Sequence, residues 1–156
     1  MLKATLNDVE QRICKYVAKK RFEHCRKIKS EATVYGSETA KFREFNSYGA
    51  ELAFCRLWNI YPDTEYEKFG IEDCELPSGK LVDIKCTTLE NGRLMVKKIK
   101  RKGETDYFVL MIGRFPTYRF AGAIKREDII TEDRLDSTLH HPAYCADQSY
   151  LLEEIC

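Results

Sequence analysis

Apolar positions return at two different spacings along this chain, and the change from one to the other divides it. Leu6, Val9, Ile13, Tyr16 and Val17 recur every three or four residues, which is the spacing of one face of an α-helix. Asn7 or Thr5 suits its start, because a short oxygen-bearing side chain can accept from the orphan N–H groups of a first turn. The polar face of this helix is basic, with Lys15, Lys19, Lys20 and Arg21, followed by Arg26, Lys27 and Lys29. Residues 30–46 keep no clear period and hold one expected turn, at Tyr35-Gly36-Ser37. A second helix is predicted from about Ser47 to Trp58, where Leu52, Phe54, Cys55 and Trp58 are apolar and Pro62 lies beyond the end.

After Pro62 the helical period disappears. Residues 65–76, 80–88, 93–99, 106–113 and 117–124 are short β-branched or aromatic runs broken by Gly or Pro, and they read as strands. Lys125 to Thr131 suits a short helix, and Ser149 to Ile155 a last strand or helical turn. Helices first and a meander of strands afterwards predicts an α+β fold, with N-terminal helices packed on a central mixed β-sheet or an antiparallel one.

At 156 residues, 44% hydrophobic and 33% charged, the chain suits one soluble domain with a real core. It divides into a basic helical part (1–46), a central part (47–131) and an acidic tail (132–156). No repeat, linker or low-complexity stretch suggests a second domain. No run approaches the roughly 18–20 apolar residues of a membrane span. The early residues Lys3, Asp8, Glu10, Arg12 and Lys15 interrupt any apolar leader, so the expectation is a protein that stays in the cytoplasm where it is made.

The seven cysteines show no Cys-x-x-Cys pair and no His at finger spacing, so they are expected as reduced, mostly buried thiols. No Gly-rich phosphate loop, Ser-His-Asp arrangement or helix-turn-helix reader is present. The formal net charge of +1 conceals segregation. Residues 1–45 and 91–126 carry an excess of Lys and Arg, while 46–90 and 127–156 carry an excess of Asp and Glu. Two basic blocks flanking an acidic one can make a basic surface around metal-binding carboxylates.

The acidic block holds the most informative stretch, Gly70-Ile71-Glu72-Asp73-Cys74-Glu75-Leu76-Pro77-Ser78-Gly79-Lys80-Leu81-Val82-Asp83-Ile84-Lys85. Pro77 presets a turn corner and Gly79 supplies the left-handed residue that closes a three-residue hairpin loop. Counting outward pairs Leu76 with Lys80, Glu75 with Leu81, Cys74 with Val82 and Asp73 with Asp83. Alternation then puts Asp83 and Lys85 on one face, joined by Asp73, with Val82 and Ile84 on the other. Opposed carboxylates repel unless a cation lies between them. A hard oxygen-seeking ion such as Mg²⁺ fits, since it takes one or two carboxylates and keeps several waters. A lysine two residues past one ligand can orient the attacking water or stabilise charge on a phosphate.

Asp73, nine residues, then Asp83-Ile84-Lys85 resembles the signature of the PD-(D/E)XK nucleases. Glu51, within Tyr48-Gly49-Ala50-Glu51-Leu52-Ala53, resembles the glutamate these enzymes carry on the helix before the hairpin. Val82-Asp83-Ile84-Lys85-Cys86-Thr87-Thr88 is similar to the corresponding run of small phage-encoded members. The resemblance spans about residues 48–124 and implies a restriction-endonuclease-like core in which Asp73 and Asp83 bind metal. It also implies that Lys85 is the catalytic lysine, that the Ile84 carbonyl adds a ligand, and that Glu51 binds metal directly or through water. The residue before Asp73 is Glu72, not the family's Pro, so Glu72 and Glu75 stay open as alternatives to Asp73.

The implied activity is Mg²⁺-dependent endonucleolytic hydrolysis of DNA, with Mn²⁺ as substitute and RNA still open as a substrate. A homodimer is compatible with it, and the setting would be the cytoplasm of a bacterial host or phage-infected cell. A junction or flap nuclease and a non-catalytic nucleic-acid-binding module on the same fold are the rival readings. The densest basic run, Gly92 to Gly103, is expected to contact phosphates through Lys97, Lys98, Lys100 and Arg101. If Leu94 and Val96 point inward, Arg93, Met95 and Lys97 share the face next to Lys85, provided that this strand joins the same sheet. Tyr107, Phe108, Tyr118 and Phe120 are expected in the core, Asp106 as a strand-start cap, and His140-His141 in a loop with rings pointing apart.

Overall fold

The structure, a computed structural model, describes residues 1–28, 37–67, 72–98 and 103–155. It is α+β, with a five-stranded mixed sheet covered on one face by two long helices and on the other by a three-stranded sheet. The elements are β1 (Lys3–Thr5), α1 (Asp8–Ile28), α2 (Ser37–Trp58), β2 (Cys74–Glu75), β3 (Leu81–Thr87) and β4 (Leu94–Lys97). They continue with β5 (Tyr107–Arg114), β6 (Thr117–Lys125), α3 (Arg126–Ile129), β7 (Leu135–Asp136) and β8 (Ala143–Ala146). Among the described residues no helix is long and apolar enough to cross a membrane.

Asn7 starts α1 with a reciprocal cap. Its Oδ1 accepts from the N–H groups of Val9 and Glu10, each at 3.0 Å, while its own N–H donates to Glu10 Oε2 at 2.6 Å. Thr5 instead belongs to β1. The buried stripe of α1 is Cys14, Val17 and Ala18, whereas Val9 and Tyr16 are exposed, so the inward face is rotated from the expected one. The second helix starts ten residues before Ser47, because Ser37 to Ser47 holds neither Pro nor Gly to break it. The expected turn at Tyr35-Gly36 lies outside the described residues.

The main sheet has the order β1-β6-β5-β3-β2. The expected meander fails at one place: β4 leaves this sheet, so β3 and β5 lie side by side and parallel, with Asp83 opposite Phe108 and Lys85 opposite Leu110. Parallel neighbours need a crossover, and residues 88–106 supply it. β4 instead pairs with β8 and β8 with β7, so the chain after 132 forms most of a second sheet rather than a solvated tail. Two cores result. Val82, Ile84, Val109 and Met111 face the helices, whereas Phe108, Leu110 and Ile112 face Leu94, Val96 and Tyr144.

Phe108, Tyr118 and Phe120 are buried as expected, and Tyr107 is half-buried. Asp106 caps the start of β5, with Oδ2 accepting from the Leu81 N–H at 2.9 Å. The six described cysteines are free thiols, but only Cys14 and Cys55 are fully buried. The rings of His140 and His141 do not point apart. They meet edge-on at 4.5 Å, because the chain bends there instead of extending.

A buried polar staple fixes α2 to the β5–β6 hairpin. Asn46 Nδ2 donates to the Gly113 carbonyl at 3.2 Å, and its Oδ1 accepts from the Phe115 N–H at 2.9 Å and the Tyr118 hydroxyl at 3.1 Å. Gly49 lies one turn of helix further on, where any Cβ would collide with the Tyr118 ring and hydroxyl, so only glycine allows this approach.

Candidate active site

The hairpin folds in the register that its turn dictates. Cys74 pairs with Val82 and Glu75 with Leu81, while Gly79 takes φ 81° and donates to the Leu76 carbonyl at 2.8 Å. β2 is only two residues long, and among the described residues no strand pairs with this edge of β3 from Asp83 onward. Asp73 sits where the pairing stops. Its N–H donates to the Val82 carbonyl at 2.9 Å, and its carboxylate folds over the edge to accept the Ile84 N–H at 2.6 Å. Asp73 therefore meets Asp83 across the edge of the strand, not squarely on its face. A residue's N–H and C=O leave a strand on the same side, so the Ile84 carbonyl also faces this edge.

A cleft of about 560 Å³ runs along the open edge. Glu44, Ser47 and Glu51 of α2 form one wall, and Asp73, Asp83, Ile84, Lys85 and Thr87 the floor. Arg93, Met95 and Lys97 form the opposite wall. The alternation expected for β4 holds, since Leu94 and Val96 are buried and the odd-numbered side chains line the cleft. What differs is the route, because β4 reaches the cleft from the second sheet. All four residues read as the catalytic set line this space. Neither Glu72 nor Glu75 does, and Glu75 is exposed beside the Gly79 turn. Of the four expected phosphate contacts, Lys97 lines the cleft, Lys98 is exposed outside it, and Lys100 and Arg101 lie outside the described residues.

The cleft concentrates negative charge and compensates it internally. Asp83 is almost wholly buried, its side chain 2% exposed, and its Oδ1 holds a close ion pair with the Lys85 ammonium. Glu51, 13% exposed, accepts from Arg21 Nη1 at 3.0 Å. Burial, then the charge of Asp73, pushes the Glu51 carboxyl well above the ordinary glutamate range, and Arg21 opposes both. Burial pulls the Arg21 guanidinium down, but Glu51 beside it outweighs this and carries it up.

Arg21 is the residue that sequence reasoning misplaced. Grouped there with the solvated lysines of α1, it instead continues the buried Cys14–Val17–Ala18 stripe by one more turn. A cation on an apolar helical stripe was the available signal. Glu44 escapes the reading because the expected helix starts only at about Ser47, and Ser47, at that start, belongs to no motif that singles it out.

Among the described residues no three carboxylate, His or Cys side chains are already drawn together as a metal cage. The donor set still suits a hard cation. Glu51, Asp73, Asp83 and the Ile84 carbonyl are all oxygen donors along one edge, and Mg²⁺ takes few carboxylates while keeping waters. Compared with protein-family models, with curated proteins and with solved structures, the chain matches none.

Proposed function

We propose that this chain is a Mg²⁺-dependent nuclease that hydrolyses phosphodiester bonds in DNA, on a restriction-endonuclease-like core. One observation carries the reading. Three separate elements bring Glu51, Asp73, Asp83 and Lys85 to a single cleft whose far wall presents Arg93 and Lys97. Carboxylates opposed by cations across a groove suit a phosphodiester, whose backbone is anionic and whose cleavage builds further charge on oxygen.

Bound at Glu51, Asp73, Asp83 and the Ile84 carbonyl, Mg²⁺ or Mn²⁺ would supply Lewis-acid polarisation of the phosphoryl group and a more acidic attacking water. The chain's own groups do the rest. Arg93 and Lys97 hold the backbone by charge and set its register along the β3 edge. Lys85, steered by Asp83 on the same face, stabilises charge developing on the phosphate oxygens and takes part in proton transfer at the attacking water. Leu110 and Met95 give the cleft an apolar floor and rim, which strengthens each of these electrostatic contacts.

The rival reading is a non-catalytic nucleic-acid-binding module, favoured by the internal partners of the carboxylates, Arg21 on Glu51 and Lys85 on Asp83. The test incubates the full chain with supercoiled, linear, single-stranded and branched DNA and with RNA, in Mg²⁺, Mn²⁺ or EDTA. Cleavage in metal that EDTA abolishes is the expected result. DNA binding without cleavage of any form, in either metal, overturns the enzyme in favour of the module. Selective cutting of the branched substrates marks a junction or flap nuclease.

A further inference from the structure

Arg21 joins three parts of the chain, α1, α2 and the connection that follows α2. From α1, its Nη1 donates to Glu51 Oε2 on α2 at 3.0 Å. Its Nε donates to the Glu65 carbonyl at 3.1 Å, and its Nη2 to the Asp63 carbonyl at 3.3 Å, both in the connection that follows α2. The guanidinium lies over the Tyr48 ring, 4.5 Å from its centroid, and the Tyr48 hydroxyl donates to the same Asp63 carbonyl at 2.9 Å. Tyr48 is fully buried, so the plane on which Arg21 rests is fixed.

We propose that Arg21 is the positioning residue of this site, holding the Glu51 carboxylate at the place where it meets a divalent cation beside Asp73. The inference rests on the reading of the cleft as a metal-dependent nuclease site. Glu51 stands on a helix and Asp73 at the head of a strand, two elements that also touch through the Cys55 and Cys74 thiols. Packing of α2 on the sheet sets the spacing of the two backbones, but the long Glu51 side chain needs a group of its own to fix where its carboxylate lies. Arg21 supplies it by binding the carboxylate and the connection leading away from α2 with one rigid fork.

Stability alone is a poor account of such an arrangement. A mostly buried ion pair costs desolvation that an apolar pair of the same volume avoids. The geometry also requires arginine, because three donors diverge in one plane while its face stacks on a ring. A lysine ammonium keeps the charge but lacks the fork, so it can face Glu51 without holding both backbone carbonyls. Groups that orient a metal ligand without touching the metal typically affect affinity by about 10–100-fold.

The test is a double-mutant cycle on the full chain, read by Mn²⁺ binding in calorimetry without DNA. Arg21→Lys and Arg21→Gln are each made alone and with Glu51→Gln. Expected for Arg21→Lys is Mn²⁺ affinity weakened by about tenfold or more, with thermal unfolding close to wild type. In the Glu51→Gln background the same change should weaken binding no further, since Arg21 acts through Glu51. Cleavage by Arg21→Lys should need correspondingly more Mg²⁺ to reach half its maximum rate, with the rate at saturating Mg²⁺ largely kept. Arg21→Gln keeps the polar volume without the charge and gives an independent reading if the lysine variant misfolds.

Wild-type Mn²⁺ affinity in both Arg21 variants overturns the inference, as does equal weakening with and without the Glu51 carboxylate. Those results leave the nuclease reading intact if the wild-type chain cuts DNA. A wild-type chain that neither binds Mn²⁺ nor cuts any nucleic acid removes the nuclease reading and this inference together.

Discussion

Replacing Lys85 by alanine should injure the folded state and the chemistry by different amounts, and divalent metal should repair only the first. The Lys85 ammonium pairs with an Asp83 side chain that is 2% exposed, while Lys85 itself is 29% exposed. Removing one member of a buried pair costs about 3–5 kcal/mol, because a desolvated charge stays behind. Lys85 opens partly to the cleft and water can follow it, so about 2 kcal/mol is the reasonable scale here. For a domain of this size that corresponds to roughly 4–8 °C in Tm. A divalent cation on Asp83 replaces the missing positive charge, so Mg²⁺ should raise the Tm of Lys85→Ala more than that of wild type. If Lys85 has the proposed role at the reacting phosphate, DNA cleavage should nevertheless fall by on the order of 10²-fold or more. Thermal unfolding with and without EDTA, beside single-turnover cleavage at saturating Mg²⁺, reads both effects. Equal Tm for the two proteins in EDTA would refute the electrostatic account of the pair, and a wild-type cleavage rate would refute the role of Lys85.

Three other outcomes test the surroundings of the cleft. Asn46→Ala removes the partners of the Phe115 N–H and Gly113 carbonyl, while the Tyr118 hydroxyl keeps the Asn46 backbone carbonyl. Two stranded groups at about 1–3 kcal/mol each predict a loss of roughly 2–6 kcal/mol in urea unfolding, and a loss under about 0.5 kcal/mol would dismiss the staple. Lys97→Ala should lower the slope of log affinity for DNA against log salt by about one unit, whereas Lys98→Ala, outside the cleft, should leave it unchanged. Asp106 is held below the ordinary aspartate range by the Leu81 N–H and then by Lys80. Its stabilisation is therefore present above the unfolded pKa of about 3.9 and lost as pH falls through the lower folded value. Asp106→Ala should be less stable than wild type at neutral pH, and acid titration of urea midpoints should bring the two proteins together.

The hairpin was legible because its chemistry is local. Pro77 and Gly79 fix a loop, the loop fixes a register, and the register carries Asp83 and Lys85 to one side without reference to any distant residue. The second helix was legible only where apolar residues cluster. Its first ten residues pack too few of them to show a period, and Glu44 was lost with that stretch. The departure of β4 from the main sheet could not be read at all. Leu94 and Val96 alternate in the same way whether their core lies under the main sheet or between two sheets. Only the partner strand β8 decides between these, and it lies more than forty residues away in a stretch dominated by acidic residues.

That departure is also what makes the cleft. Had β4 followed β3 as a neighbour in one antiparallel sheet, its backbone would have taken the β3 side now occupied by β5, or covered the edge beyond β2. The second outcome would pair the Ile84 N–H and carbonyl with a strand and turn Asp73 away. By joining β8 instead, β4 leaves that edge unpaired among the described residues and still presents Arg93 and Lys97 to it from the side. An unpaired strand edge is ordinarily a liability, since its N–H and C=O groups invite another strand. Here the Asp73 carboxylate takes the Ile84 N–H, and the buried Asp83–Lys85 pair makes the adjoining face too polar for strand addition. The features that protect the edge are thus the same ones that place oxygen donors and cationic side chains along it. A variant that restores pairing there, by lengthening β2 with Asp73→Val and Glu72→Thr, should keep the fold and abolish divalent-metal binding. Retained Mn²⁺ affinity in that variant, measured by calorimetry, would show that the open edge is not where the cation sits.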